Sequence, residues 1–339
     1  MTPLTLASGV PASRFAFGTM QWGGPADEPC ARAMFDACLD AGITHFDTAV
    51  GYAEGRSEAI LGAFARERRD DIYVATKVAY DGGAGRANIL SHWDRSRTQL
   101  GLDTVDLLYI HRHDPDTDMH ETFETLARLQ SDGAIRHIGL SNHSAWQVMK
   151  AQGVCAALGT RIDAIQPMYN LVKRQAEVEL LPMAADQDIA VMPYSPLGGG
   201  LLTGKYARGG TGRLTTNGMY AARYAPPAMH AAAQGLVDLA AETGHHPATL
   251  AVAWVAAHAA RPGPIVSGRS VEQLAPSLAA LDLTLDAATK ARLDALYPGP
   301  APATDRLEEA SDATRETGSA HRRDTDANTD VIPTGRSGG

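Results

Sequence analysis

Four ionisable residues stand where they could act together on a proton. Asp47 and Tyr52 lie in Phe46-Asp-Thr-Ala-Val-Gly-Tyr52, Lys77 in Val74-Ala-Thr-Lys77-Val78, and His111 in Asp106-Leu-Leu-Tyr-Ile-His111-Arg112. A phenol with its ordinary pKa near ~10 is protonated at neutral pH but is a poor acid. An ammonium beside it stabilises the phenolate and lowers that pKa toward the working range. A carboxylate paired with the ammonium keeps it charged and oriented when both are buried. An imidazole N–H can hold and polarise a carbonyl oxygen. Together these types make a site that protonates the oxygen of a carbonyl being reduced. Taken singly, each has a plainer use: a turn former, a solvated strand end, a packing ring, a satisfied core histidine.

Asp47, Lys77 and His111 each close a short apolar run, with Tyr52 a few residues beyond, so the elements come next. Eight such runs predict strands: Phe15–Thr19, Ile43–Asp47, Ile72–Lys77, Asp106–His111, Arg136–Leu140, Ala164–Pro167, Ala190–Tyr194 and Pro264–Ser267. Their shortness and apolar character suit parallel strands covered on both faces. Helical spacing fills the intervals at Asp27–Ala41, Glu54–Arg69, Asn88–Leu100, Asp118–Ser131, Ala145–Leu158 and Lys173–Asp186. Alternating β and α elements predict an α/β fold with a parallel sheet and right-handed crossovers. Eight units match a (β/α)8 TIM barrel, whose active residues gather at the C-terminal ends of the strands. An open doubly wound sheet is disfavoured, because no G-x-G-x-x-G follows any predicted strand. The barrel is expected to span 1–300, with a hairpin in the first dozen residues and extra C-terminal helices. The segment from Tyr194 to about Pro227 is Gly-rich and long for a loop, which marks function. Residues 301–339 hold eight acidic and five basic residues and no aromatics, so a disordered tail is expected there.

Composition excludes several classes. Thirty basic against thirty-nine acidic residues give a formal charge of −9, which offers no electrostatic footprint for nucleic acid or an anionic membrane. Cys30, Cys38 and Cys155 form no C-x-x-C, so neither a disulfide framework nor a structural zinc site is expected. No apolar run approaches a membrane span, and the first residues lack the order of a signal peptide; a cytoplasmic location is expected. Gly199-Gly-Leu-Leu-Thr-Gly204-Lys205 has phosphate-loop spacing, but Tyr206 stands where a hydroxyl would hold Mg2+. His45, Asp47, His111 and His113 offer metal-ligand spacing, but later strand ends supply no further ligand, so no metal is expected.

The motifs Phe46-Asp-Thr-Ala, Gly51-Tyr52-Ala-Glu-Gly, Ala75-Thr-Lys77, Gly139-Leu-Ser-Asn142, Gln166-Pro-Met-Tyr-Asn170 and Tyr194-Ser-Pro-Leu-Gly-Gly-Gly resemble the aldo-keto reductases over residues 3–298. Ala145-Trp-Gln-Val and Arg174-Gln-Ala-Glu-Val-Glu-Leu are most similar to the aflatoxin-aldehyde reductase branch and its bacterial relatives. The resemblance implies an NADPH-dependent oxidoreductase reducing aldehydes or ketones, with Tyr52 as general acid, Lys77 and Asp47 as its tuning pair and His111 orienting the carbonyl. It implies that Ser141, Asn142 and Gln166 hold the nicotinamide carboxamide and that Tyr194 stacks on the ring. The loop from Ser195 through Leu197 and Gly199 to Lys205 would cover the pyrophosphate. Arg269, Ser270 and Gln273 would reach the 2′-phosphate and adenosine end, as a guanidinium suits a phosphate. Pro276 and Ser277 stand where the family commonly carries a Glu and an Asn facing adenine. The substrate, a small carbonyl compound, would meet Trp22, Arg112, His113, Met168, Tyr220 and Tyr224. Arg112 would either attract an anionic or hydroxylated aldehyde or pair with Asp114 or Asp116. A nicotinamide-binding regulatory subunit, as in the potassium-channel β-subunits of the same fold, remains the alternative.

Overall fold

The computed structural model describes residues 4–304. Eight strands appear where apolar runs predict them: β1 Ala16–Gly18, β2 His45–Asp47, β3 Tyr73–Val78, β4 Val105–Ile110, β5 Ile135–Ser141, β6 Ala164–Gln166, β7 Ala190–Val191 and β8 Ile265–Val266. They pair in parallel in the order β7-β6-β5-β4-β3-β2-β1-β8. The gap between β7 and β8 is bridged by two backbone bonds. The N–H groups of Gly263 and Ile265 donate to the carbonyls of Val191 and Pro193 at 2.8 and 2.9 Å. The result is the (β/α)8 arrangement expected from the alternating pattern.

Around the sheet lie α1 Glu28–Asp40, α2 Arg56–Arg68, α3 Arg86–Leu100, α4 Met119–Ser131, α5 Ala145–Ala157, α6 Leu180–Asp186, α7 Arg213–Thr216, α8 Gly218–Arg223, α9 Pro227–Thr243, α10 Pro247–Ala256, α11 Val271–Leu278 and α12 Ala287–Ala295. Sequence-local caps set several starts. Asp27 accepts from the Cys30 N–H at 3.0 Å, and Asp118 accepts from His120 at 2.9 Å. The helix expected over Lys173–Asp186 is shorter than its pattern. Arg174 is drawn into a bidentate pair with Glu177 and donates to the carbonyls of Asp294 and Tyr297, leaving a 3-10 turn at Gln175–Glu177. Pro182 then falls in the first turn of α6, where its missing N–H costs nothing.

Strand alternation divides the core into two layers. Tyr73, Ala75, Leu107, Tyr109, Ala164 and Ala190 point into the barrel, where Leu6 closes them from below. The opposite faces meet the helices in a larger core that includes Phe17, Phe35, Phe46 and Phe64. Trp22, expected at the substrate mouth, is instead 0% exposed in this outer core, 5.2 Å from the Phe17 ring and 5.8 Å from that of Phe64. A loop position after a strand reads as a rim, but this aromatic cluster gives the indole a better place. The N-terminal hairpin is present from residue 4, with Thr5 bridged to Pro11. Arg136 pins it by donating to the Thr5 and Leu6 carbonyls at 2.7 and 3.1 Å.

Residues to Pro298 form one compact unit and a second begins at Gly299. The tail expected to be disordered lies outside the described residues from 305 onward. Among the described residues, no helix is long and apolar enough to cross a membrane.

Candidate active site

Six of the eight strands deliver polar residues to the same end of the barrel. Asp47 closes β2, Lys77 is the last but one residue of β3, His111 follows β4, Ser141 closes β5, Gln166 closes β6, and Arg269 follows β8. Asp47 and Lys77 are 3% and 0% exposed. The Lys77 ammonium binds the Asp47 carboxylate directly and donates to the Thr48 carbonyl at 2.7 Å. The other Asp47 oxygen accepts from the Gln166 amide at 2.9 Å. Lys77 Nζ lies 5.1 Å from the centre of the Tyr52 ring, and the His111 ring stands edge-on to that ring at 6.0 Å. Asp47, Tyr52 and His111 line one cavity of about 1050 Å³, and the fully buried Lys77 lies behind Asp47 and Tyr52.

The electrostatics correct one expectation. Burial pushes the Tyr52 phenol above its ordinary pKa, and the opposing pull of Lys77 does not overcome it. The nearby Asp47 carboxylate adds to the effect of burial by disfavouring a second negative charge on the phenol. Burial opposes charge on Lys77, yet Asp47 and the Tyr52 hydroxyl together hold its pKa above the usual value. Burial, with Lys77 and Arg112 nearby, lowers His111 to about 3, so its imidazole is neutral at pH 7. The arrangement is a loaded phenol donor, a neutral imidazole and a fixed cation around one point.

The remaining expected residues separate clearly. Ser141, Asn142, Gln166, Tyr194, Ser195, Leu197, Gly199, Lys205, Arg269 and Gln273 all line the cavity. Asn142 is held in a left-handed conformation, φ 56°, by donating to the His111 carbonyl and accepting from the Tyr194 hydroxyl at 2.7 Å. Ser270 is not a wall residue; it caps α11 by accepting from the Gln273 N–H. Arg112 and Tyr220 line the cavity, whereas Trp22, His113, Met168 and Tyr224 do not. Tyr224 is 0% exposed and accepts from Asn170 at 3.2 Å, and His113 turns toward His143 and Trp146. Arg112 forms no ion pair with Asp114 or Asp116; its guanidinium lies 5.0 Å over the Tyr80 ring, which itself meets His111 at 4.8 Å. Tyr80, Arg213 and Arg223 are wall residues that motif reasoning passed over. Tyr80 lies two residues past the end of β3, and the two arginines sit in the Gly-rich segment, so position held the signal.

The cavity lining also carries Lys205, Arg208, Arg213 and Arg269. Burial lowers the Lys205 pKa, and Arg269 and Arg213 lower it further. None of the four has a carboxylate partner among the described ion pairs. Mutually repelling cations in an acidic protein are what a multiply charged phosphate group relieves. The amide-bearing Asn142 and Gln166 line the same cavity, Gln166 beside Asp47, so the donor set fits a nicotinamide dinucleotide. Pro276 lines the cavity inside α11 without ending it, because the Ala279 N–H still donates to Ala275 and the Thr249 hydroxyl donates to the Pro276 carbonyl at 2.6 Å. Among the described residues no three His, Cys, Asp or Glu gather to hold a metal.

A parallel (β/α)8 barrel with this donor set at its mouth defines an NAD(P)H-dependent oxidoreductase. The chain belongs to the aldo/keto reductase family, whose sequence model matches residues 14–298. It is similar to the uncharacterized oxidoreductase YrpG of Bacillus subtilis (34% identity over 86% of this chain and 94% of the relative). It is also similar to a probable voltage-gated potassium channel subunit beta of Oryza sativa subsp. japonica (32% identity, covering 81% and 89%). A third relative, aflatoxin B1 aldehyde reductase member 2 of Homo sapiens, is 36% identical over 56% of this chain and 54% of its own length.

Proposed function

We propose that this chain reduces aldehydes or ketones to alcohols, with NADPH as its cofactor and Tyr52 as proton donor. The carrying observation is the buried Asp47–Lys77 pair set behind Tyr52, beside His111, at one end of the cavity. When bound, the cofactor supplies a hydride to the carbonyl carbon. Ser141, Asn142 and Gln166 would hold its carboxamide, Tyr194 its ring, Ser195 to Lys205 its pyrophosphate, and Arg269 with Gln273 the 2′-phosphate end. The neutral His111 and the Tyr52 hydroxyl bind the substrate oxygen, which fixes the carbonyl and excludes water from it. Tyr52 then gives its proton to that oxygen. Lys77 stabilises the phenolate left behind, and Asp47 and Gln166 keep Lys77 from turning away. Free cysteines at positions 30, 38 and 155 suit a reducing compartment such as the cytoplasm.

NADPH consumption with a panel of aldehydes tests this reading. Absence of turnover by wild type, or full turnover by Tyr52→Phe, would defeat it. Arg269→Ala should weaken NADPH by about tenfold and leave NADH nearly unchanged, as loss of one guanidinium–phosphate contact predicts. The likeness to a potassium channel subunit favours a second reading, a nicotinamide-binding regulatory subunit with slow or no turnover. Tight NADPH binding without turnover of any aldehyde would select it.

A further inference from the structure

We propose that Glu58, a carboxylate outside the proton-transfer scheme, is the positioning residue that sets Tyr52 and Lys77 relative to one another. The proposal rests on those two residues being the proton-donating pair. Glu58 lies on α2, 0% exposed, on the outer side of the barrel wall. A carboxylate buried there is costly unless donors surround it. Donors reach it from two different elements. The Thr76 hydroxyl donates to Oε1 at 2.5 Å, and the Gln99 side chain of α3, its amide assigned with nitrogen toward the carboxylate so that oxygen does not face oxygen, donates to Oε2 at 2.5 Å. That same amide also donates to the Val50 carbonyl at 3.2 Å.

Each link ends next to a reacting residue. Thr76 precedes Lys77 on β3, and the pleat turns Thr76 out toward α2 as it turns Lys77 into the barrel. Holding Thr76 therefore holds the root of Lys77. Val50 stands two residues before Tyr52, and its N–H donates to the Lys77 carbonyl at 3.2 Å. One carboxylate thus ties the strand of the cation to the loop of the phenol.

The loop needs such a tie. Directly after Tyr52, Ala53, Glu54 and Gly55 have φ of 49°, 59° and 92°. Left-handed conformations are costly for residues other than glycine, so the two before Gly55 persist only where the surroundings over-determine them. Gly55 is required on a second count: a Cβ there would overlap the Gln99 side-chain amide, whose oxygen faces Gly55 when its nitrogen faces Glu58 and Val50. The strained turn and the Glu58–Gln99 tie are built against each other.

Glu58→Gln and Gln99→Leu in the full chain test this. In Glu58→Gln the new side-chain oxygen can still accept from Thr76, but the new amide NH2 would face the Gln99 amide, so Gln99 must turn and release Val50. Gln99→Leu leaves the Thr76 bond and removes the Val50 bond outright. Amide hydrogen exchange by mass spectrometry, without cofactor or substrate, reads the loop directly. Peptides covering 48–57 should exchange about tenfold faster in both variants, with β5 unchanged, because a local tie and not global stability is lost. For aldehyde reduction, kcat should fall about tenfold or more while KM and NADPH affinity stay within about twofold, the pattern of a lost transition-state geometry. The double variant Glu58→Gln/Gln99→Glu remakes the 58–99 contact with roles reversed but offers Val50 no donor, and its loop should stay fast. Unchanged exchange in the folded variants, or recovery in the double variant, overturns the proposal. If Glu58→Gln does not fold, Gln99→Leu at its half-buried helix position decides alone. Wild type that turns over no aldehyde would defeat the enzyme reading but leave the exchange result to stand or fall independently.

Discussion

The Tyr52 hydroxyl sits between opposing influences, burial holding its proton on and the Lys77 ammonium drawing it off, and burial is the stronger. A phenol raised above its ordinary value stays protonated as pH climbs through the neutral range, so the donor form is not lost there. His111, lowered to about 3, stays neutral over the same interval. The kcat/KM for aldehyde reduction should therefore be flat from about pH 6 to 9, with no alkaline fall below the ordinary tyrosine value of ~10. An alkaline limb near pH ~8 would contradict this. Tyr52→Phe removes the transferable proton and should lower kcat by about 10² to 10⁴, the usual share of a general acid, while NADPH titration stays unchanged. Lys77→Met has a different signature. It strands the buried Asp47 carboxylate, and breaking such a pair costs about 3–5 kcal/mol, which urea unfolding will show beside the loss of activity.

At the scale of elements, the short strands were legible because parallel strands covered on both faces are continuous apolar runs, and helix starts because Asp27 and Asp118 announce them. Asp47, Lys77 and His111 followed from strand ends alone. What was not legible depends on partners distant in sequence. Trp22 is claimed by Phe17 and Phe64, Tyr224 by Asn170, and Arg174 by carbonyls more than a hundred residues away. Glu58 carried no signal in the sequence, because its partners, Thr76 and Gln99, lie on the next strand and the next helix. That approach of α2 to α3 is itself a testable feature. A Cβ at Gly62 would collide with the Leu100 carbonyl oxygen, backbone that cannot swing aside. Gly62→Ala should lose about 1–3 kcal/mol to this overpacking, even though alanine is the better helix former by up to ~1 kcal/mol. Thermal melting will show it, and a higher melting temperature would mean that the helices part freely.

For the whole molecule, the buried histidines decide how the fold meets acid. Burial lowers His45 to about 3 and, with Lys77 and Arg112 adding to it, His111 to about 3, while His143 is lowered to about 4. In the unfolded chain all three take up protons near ~6.5. Below that pH the unfolded state binds protons the folded state refuses, so stability falls as pH falls, until the folded groups titrate. Each histidine contributes a slope of up to ~1.4 kcal/mol per pH unit in that window. Asp47 and Glu58, raised by burial, work the other way, because protonation relieves their desolvation. A single substitution separates these contributions. His45 lies at the barrel floor side of β2, packed edge-on against Tyr73 at 4.6 Å, and a neutral His45→Gln cannot take up a proton in either state. Urea unfolding at several pH values between about 7 and 5 should then show wild type losing stability more steeply than His45→Gln, by about 1.4 kcal/mol per unit once the pH is well below ~6.5. Parallel slopes for the two proteins would mean that His45 is protonated inside the fold, the nearby Asp106 carboxylate outweighing its burial and the Lys77 charge.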